Sequence, residues 1–255
     1  MHGAARYPVR RSLGRSALRW GAVVDLRVVS YNVRSLRDDR SAVVRVLRGL
    51  DADVACIQEA PRFLRWRSRC AALARESGLL YVGGGGSTGG TMMLASLRVD
   101  VRNTIEYRFS RTPALHRRGA VAARIHRAGA SVVVASVHLG LDADERARHR
   151  SELVGLVDRF DSEVTVVAGD INERPDQPTW AAMAAEFSDS AAGDETPTFS
   201  TADPRRRIDG VFVRGPARIA AYRVADDPDV LVASDHRPVV VDLEVDPTTP
   251  RAERR

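Results

Sequence analysis

The chain has 255 residues, 44% of them hydrophobic and 28% charged, with a formal net charge of +6 at pH 7. That composition fits one globular domain and excludes a disordered chain, a collagen and a coiled coil. No run of about 18 uncharged apolar residues occurs, so no membrane-spanning helix is expected.

All of the basic residues are Arg, and the excess gathers at the ends. Arg6, Arg10, Arg11, Arg15 and Arg19 come with no acid among them, and Arg251, Arg254 and Arg255 face only Glu253. The stretch between is close to neutral, so the positive balance does not mark a polyanion-binding face of the folded body. We expect Arg-rich tails at 1–24 and 247–255 around a domain at 25–246. Cys56 and Cys70 are too few for a disulfide framework or a zinc site and read as small core residues of a reducing compartment. No apolar secretory core follows the N-terminal Arg residues, and a cytoplasmic monomer is the expectation.

Leu26–Val33 reads as a strand, followed by Asp38-Asp39 and an amphipathic helix with Val43, Val44, Leu47 and Leu50 at helical spacing. Asp53–Glu59 is a second strand, and Pro61 is placed to open a helix that runs to about Ser77 and closes at Gly78. The glycine-rich stretch Gly83–Gly90 joins two apolar runs as a hairpin-like loop. It lacks the Gly-Lys-Ser/Thr ending and the following helix of a phosphate-binding loop. Val99–Phe109, Ala120–His126 and Ser131–His138 follow as an antiparallel meander. Helix Asp142–Phe160, strand Val164–Ala168, helix Pro178–Phe187 and strands Ile208–Val213, Ala217–Val224 and Val239–Val245 complete the chain. The pattern predicts an α/β four-layered sandwich, two mainly antiparallel sheets face to face with helices outside.

Carboxylates, amides and histidines fall at or just past the ends of these strands, where a rigid scaffold presents reactive groups. Asn32 follows Val28–Tyr31, Glu59 ends Val54–Gln58, and His138 ends Val132–Val137. Asp170 and Asn172 follow Val164–Gly169, Asp209 sits within Arg207–Val213, and Asp235 and His236 precede Pro238. Each alone has an ordinary reading as a turn, cap or half-buried polar residue. Together they form a convergent set.

The segments Ser30–Val33, Ile57–Glu59, Val137–Leu139, Gly169–Asn172, Arg207–Asp209 and Ser234–Val239 resemble, in order, the motifs of the endonuclease/exonuclease/phosphatase superfamily. Pancreatic-type deoxyribonuclease, abasic-site endonucleases, inositol polyphosphate 5-phosphatases and bacterial neutral sphingomyelinases belong to it. The resemblance covers about residues 25–245 and implies a metal-dependent hydrolase of phosphate esters. Glu59 is then the carboxylate ligand of Mg²⁺ (or Mn²⁺), Asn32 helps to place the metal or a phosphate oxygen, and Asp235 is a further metal or orienting carboxylate. Asp170 and Asn172 are similar to the family's water-positioning pair. His236, held by Asp209, acts as base or cationic stabiliser, and His138 is a second acid or phosphate contact. Thr198 resembles a hydroxyl near the phosphate or is a turn threonine; Arg207 is a phosphate contact or a surface charge.

One departure stands out: the Glu that partners the first histidine in pancreatic-type nucleases, from the region of Gly83–Thr91, is missing. His2, His116, His126 and His149 match no motif. Loops are short, and Trp20, Trp66 and Trp180 are isolated, so neither a membrane-inserting hairpin nor a stacking row for single strands is expected. Arg111, Arg117 and Arg118 in one loop and Arg205 to Arg207 in another are phosphate contacts or solvated faces. The reading is a phosphodiesterase or nuclease acting on a phosphate ester, DNA or RNA among them. A phosphomonoesterase or lipid-headgroup phosphodiesterase is the alternative, and an inactive binding module the remote one.

Overall fold

The computed structural model describes residues 23–191 and 193–247. Both expected Arg-rich tails, Trp20 and His2 lie outside these, apart from Val23, Val24 and Pro247.

The first half runs β1 (Val24–Asn32), α1 (Arg40–Gly49), β2 (Val54–Gln58), α2 (Trp66–Glu76), β3 (Leu80–Gly85) and β4 (Thr91–Ala95). Next comes the meander β5 (Asp100–Arg108), β6 (Gly119–Arg127) and β7 (Ala130–His138). The chain continues with α3 (Ala143–Asp158), β8 (Thr165–Asp170), α4 (Pro178–Glu186), the two-residue β9 (Ser188–Asp189) and β10 (Asp209–Arg214). It ends in β11 (Ala217–Val224), α5 (Pro228–Ala233) and β12 (Val239–Val245).

Two six-stranded sheets result, ordered β11-β12-β1-β2-β4-β3 and β5-β6-β7-β8-β10-β9. Each holds one parallel pair, β1 with β2 and β7 with β8, joined by α1 and α3 respectively. Parallel neighbours need such a crossover, and every other strand pairing among the described residues is antiparallel.

Central strands are Val-rich along their whole length because both faces are covered. Val28, Val54, Cys56 and Met93 meet Val134, Val166, Ala168 and Val211 between the sheets. Their sequence neighbours Val29, Tyr31, Ala55 and Ile57 pack outward on α1, α2 and α5, and Val133, Ala135 and Val167 outward on α3 and α4. The four layers of the expected sandwich are therefore present, and both cysteines are buried and unpaired. Helix starts follow local chemistry: Asp39 Oδ1 accepts from the N–H of Ser41 and Ala42, and Asp142 Oδ1 from that of Glu145.

Two expectations change. Pro61 does not open α2, which begins at Trp66 after Arg65 in the left-handed region (φ 59°). The segment past Glu59 is irregular up to Arg65, with the Ala60 N–H held by the Gly90 carbonyl at 2.7 Å. Helix α5 lies outside the expected elements; it starts on Pro228 and buries Val230 and Ala233 beside α1.

Gly169 sits where β8 passes β7, and a Cβ there would run into the Val137 carbonyl oxygen. Backbone cannot yield cheaply, so Gly169→Ala is expected to cost about 1–3 kcal/mol in urea denaturation. A wild-type midpoint would show that the two strands are more loosely joined than their register implies.

Candidate active site

Strand register assembles the site. In the second sheet Gly119 pairs with His138, His138 with Asp170, and Asp170 with Asp209, a single row across β6, β7, β8 and β10. In the first sheet Asn32 pairs with Gln58, which sets Glu59 beside the end of β1. Asn32 links the two rows: its Nδ2 donates to Asp170 Oδ2 at 3.1 Å. The turn after α5 is tied in by Ser234 Oγ, which donates to the Asn32 carbonyl at 2.7 Å and so delivers His236. Asn32, His138 and Asp170 end their strands, while Asp209 opens the antiparallel β10 and His236 precedes β12, so all five meet at one end of the sandwich.

Asp170, buried, is the centre. Its Oδ1 accepts the Asn172 N–H at 2.9 Å, and its Oδ2 lies 3.3 Å from His138 Nε2 and 3.9 Å from His236 Nε2. Burial opposes its ionisation, but both histidines and the Asn172 N–H outweigh burial and hold the carboxyl well below the usual range. Asn172 occupies the left-handed region (φ 57°), and its Nδ2 donates to the Leu139 carbonyl at 3.0 Å. The loop thus turns its N–H back onto Asp170.

His236 Nδ1 contacts Asp209 Oδ2 at 2.9 Å, with both groups buried. A carboxylate only accepts, so Nδ1 carries the proton. Burial alone would lower the imidazole, yet Asp209 first and Asp170 after it push His236 up to about 9. Asp209 itself is raised, because burial outweighs its attraction to His236. His236 is therefore an imidazolium between two carboxylates.

His138 is set differently. Arg118 Nη1 lies 3.1 Å from His138 Nδ1, and both side chains are buried. A guanidinium has no acceptor, so Nδ1 must accept and the ring proton sits on Nε2, facing Asp170. Burial, then the Arg118 charge, lowers the imidazole. The missing Glu partner is thus replaced by a cation, and the expected second acid becomes a neutral donor with a fixed tautomer.

Other sequence-predicted residues fall as follows. Glu59 is half-buried at φ 50° and acts electrostatically on both His138 and Arg118. Asn32 Oδ1 accepts the Arg34 N–H at 3.0 Å. Asp235 is not brought to Asp170: its carboxylate pairs with Arg34 Nε at 3.1 Å. Thr198 Oγ1 accepts from the N–H of Ile208 and Asp209 at 3.1 and 3.2 Å, which makes it a support for Asp209. Arg207 is neither a surface charge nor part of the cluster, since it is buried over the Trp180 ring with Nη2 2.9 Å from Asp189. Arg118, seen from sequence only as one of three loop Arg residues, is the addition; its place before Gly119, opposite His138, was the signal.

The donor set suits a hard divalent cation. The carboxylate oxygens of Asp170 and Asp209 approach within 4.8 Å of each other beside His236, and Asp209 Oδ1 is a buried oxygen without a hydrogen-bond partner among the described residues. Three carboxylates with Glu59 face two cations, Arg118 and His236, and a further positive charge would balance them.

Comparison agrees with this architecture. Residues 29–236 match the model of the endonuclease/exonuclease/phosphatase family, and the chain belongs to that family. No curated protein matches the sequence. An endonuclease/exonuclease/phosphatase from Bacteroides vulgatus is similar with a TM-score of 0.74 and 18% identity over 87% of this chain and 99% of its own. A mannosyl-6-phosphatase from Bacteroides thetaiotaomicron gives 0.71 and 18% over 86% and 99%. D. rerio TDP2, complexed with a single-strand DNA product, gives 0.69 and 17% over 87% and 99%.

Because His236 stands above its ordinary 6.5 at about 9, the stability it adds is complete below about pH 6.5 and lost as pH rises through about 9. In metal-free protein the unfolding free energy should therefore fall across that window. In Asp209→Asn, ¹⁵N NMR should show His236 titrating clearly lower than in the wild type, as only Asp170 and Asp235 would then oppose burial; a midpoint that stays near 9 would exclude Asp209 as the main cause. A neutral donor at position 138 should suffice: His138→Gln should retain most activity and His138→Ala lose it. Equal loss in both variants would restore a protonated His138.

Proposed function

We propose that the chain is a divalent-metal-dependent phosphodiesterase, with nucleic-acid strands among its substrates, that cleaves by attack of an activated water. The carrying observation is the ionised, buried Asp170, aligned by Asn172 and set between a neutral donor, His138, and an imidazolium, His236.

A phosphodiester anion repels a nucleophile, so the site must neutralise charge and orient a water. Asp170, with its orientation fixed, is the group to accept the water's proton. His236 Nε2 and His138 Nε2 each present a hydrogen to the space beside Asp170, where phosphate oxygens would be received. Asp209 keeps His236 charged, and Arg118 keeps the His138 proton on the useful nitrogen. Glu59 would hold Mg²⁺ or Mn²⁺, and Asn32 orients Asp170 towards the water. When bound there, the metal supplies charge neutralisation and Lewis acidity at the phosphate. Asp235, paired with Arg34, adds to the field that keeps His236 charged.

A phosphomonoesterase is the second reading, favoured by the mannosyl-6-phosphatase among the similar structures. Bis(p-nitrophenyl) phosphate, plasmid DNA, a sugar phosphate and a phosphatidylinositol phosphate should be assayed side by side with Mg²⁺ or with EDTA. Diester or plasmid cleavage that disappears in EDTA is expected; hydrolysis confined to the monoester would move the enzyme to the second reading. Glu59→Ala, Asp170→Ala and His236→Ala should each lower the rate about 100-fold or more. Unchanged turnover in any of them would unseat its assignment.

A further inference from the structure

The glycine-rich stretch after β3 has no role in the chemistry above, yet its conformation is tightly specified. Gly85 and Gly86 lie against the Trp66 ring, where a Cβ at Gly86 would come within 2.6 Å of Trp66 Nε1. Gly89 is in the left-handed region (φ 72°), so close to the Arg117 carbonyl that any side chain would collide with it. Arg62 Nη1 reaches across to the Gly89 carbonyl at 3.1 Å. Three segments remote in sequence are thereby clamped together.

Between them lies a cavity of about 380 Å³, lined by Arg62, Phe63, Gly86, Gly89 and Leu115 to Arg117. It adjoins the active site through the chain itself. Arg62 and Phe63 come three and four residues after Glu59, Arg117 precedes the Arg118 that holds His138, and the Gly90 carbonyl accepts the Ala60 N–H.

Its chemistry is specific. Phe63 is 67% exposed, an unusual placement for a large apolar ring, and the Arg62 guanidinium stands 5.2 Å from its centroid. Arg117 and His116 supply further polar groups, and no carboxylate lines the cavity among the described residues. A planar ring can stack on Phe63 while the two Arg residues attract an attached anion. A choline-bearing headgroup would bring its cation to two guanidinium groups, and an inositol ring offers no flat face to the phenyl. From this arrangement we propose that the cavity is a subsite for one nucleobase, carried on the phosphate ester that the active site cleaves. The proposal rests on the phosphoesterase reading and adds to it the identity of the substrate group. A single aromatic implies one stacked base at this place.

Binding of thymidine 5′-monophosphate, deoxyribose 5-phosphate and inositol phosphate to the full chain tests it, by calorimetry and by tryptophan fluorescence, since the Trp66 ring lies against Gly86. The nucleotide is expected to bind about tenfold more tightly than the sugar phosphate, as a single stacked base warrants. Phe63→Ala should erase that difference, Phe63→Tyr keep it, and Arg117→Ala weaken both ligands. Phe63 is exposed, so its replacement leaves the fold intact. Equal affinity for nucleotide and sugar phosphate in the wild type, a base preference that survives Phe63→Ala, or tighter inositol phosphate binding would each overturn the subsite. Wild-type hydrolysis of bis(p-nitrophenyl) phosphate is read on the same preparation. Silence there counts against the phosphoesterase reading, whereas the base preference is judged by the binding ratios alone.

Discussion

Asp170 Oδ2 meets Asn32 from one sheet and His138 from its own, with His236 from the turn before β12 close by. A buried carboxylate is costly unless its oxygens are matched, so this cluster constrains how far the two sheets can shift against each other at the site end. The row His138, Asp170, Asp209 is set by backbone register, and a slip of one residue would turn each of these side chains to the opposite face. Reactive geometry and sheet pairing are here the same constraint.

The two histidines illustrate how neighbours divide roles. Both are buried, and burial alone would leave both neutral. Asp209 turns His236 into a cation, while Arg118 prevents the same at His138. One site thus contains an imidazolium and an imidazole a few ångströms either side of one carboxylate. Charge partners, not the residue type, decide which is which.

Strand and helix positions were largely legible in the sequence, because Val-rich runs and capping Asp residues are local signals. Asn32, Glu59, His138, Asp170, Asp209 and His236 were legible too, as polar residues that interrupt or end apolar runs. Their partners were less so. Asp235 adjoins His236 in sequence, but it sits at a bend and its carboxylate goes to Arg34. Arg207 lies two residues before Asp209 and is drawn to Asp189 and the Trp180 ring. Thr198 lies beside the cluster, with its oxygen spent on backbone N–H groups.

Sequence by itself determined the layered α/β sandwich, its strand-end polar set and the resemblance to a metal-dependent phosphoesterase family, since periodicity and motif spacing are properties of the chain alone. Only the tertiary structure decided that Arg118 replaces the missing Glu beside His138, that Asp235 pairs with Arg34, and that Gly86 and Gly89 line a cavity with Arg62 and Phe63. Each of these is a contact between segments brought together by sheet pairing and loop packing, and a charge acts through space on whatever the fold sets within a few ångströms of it.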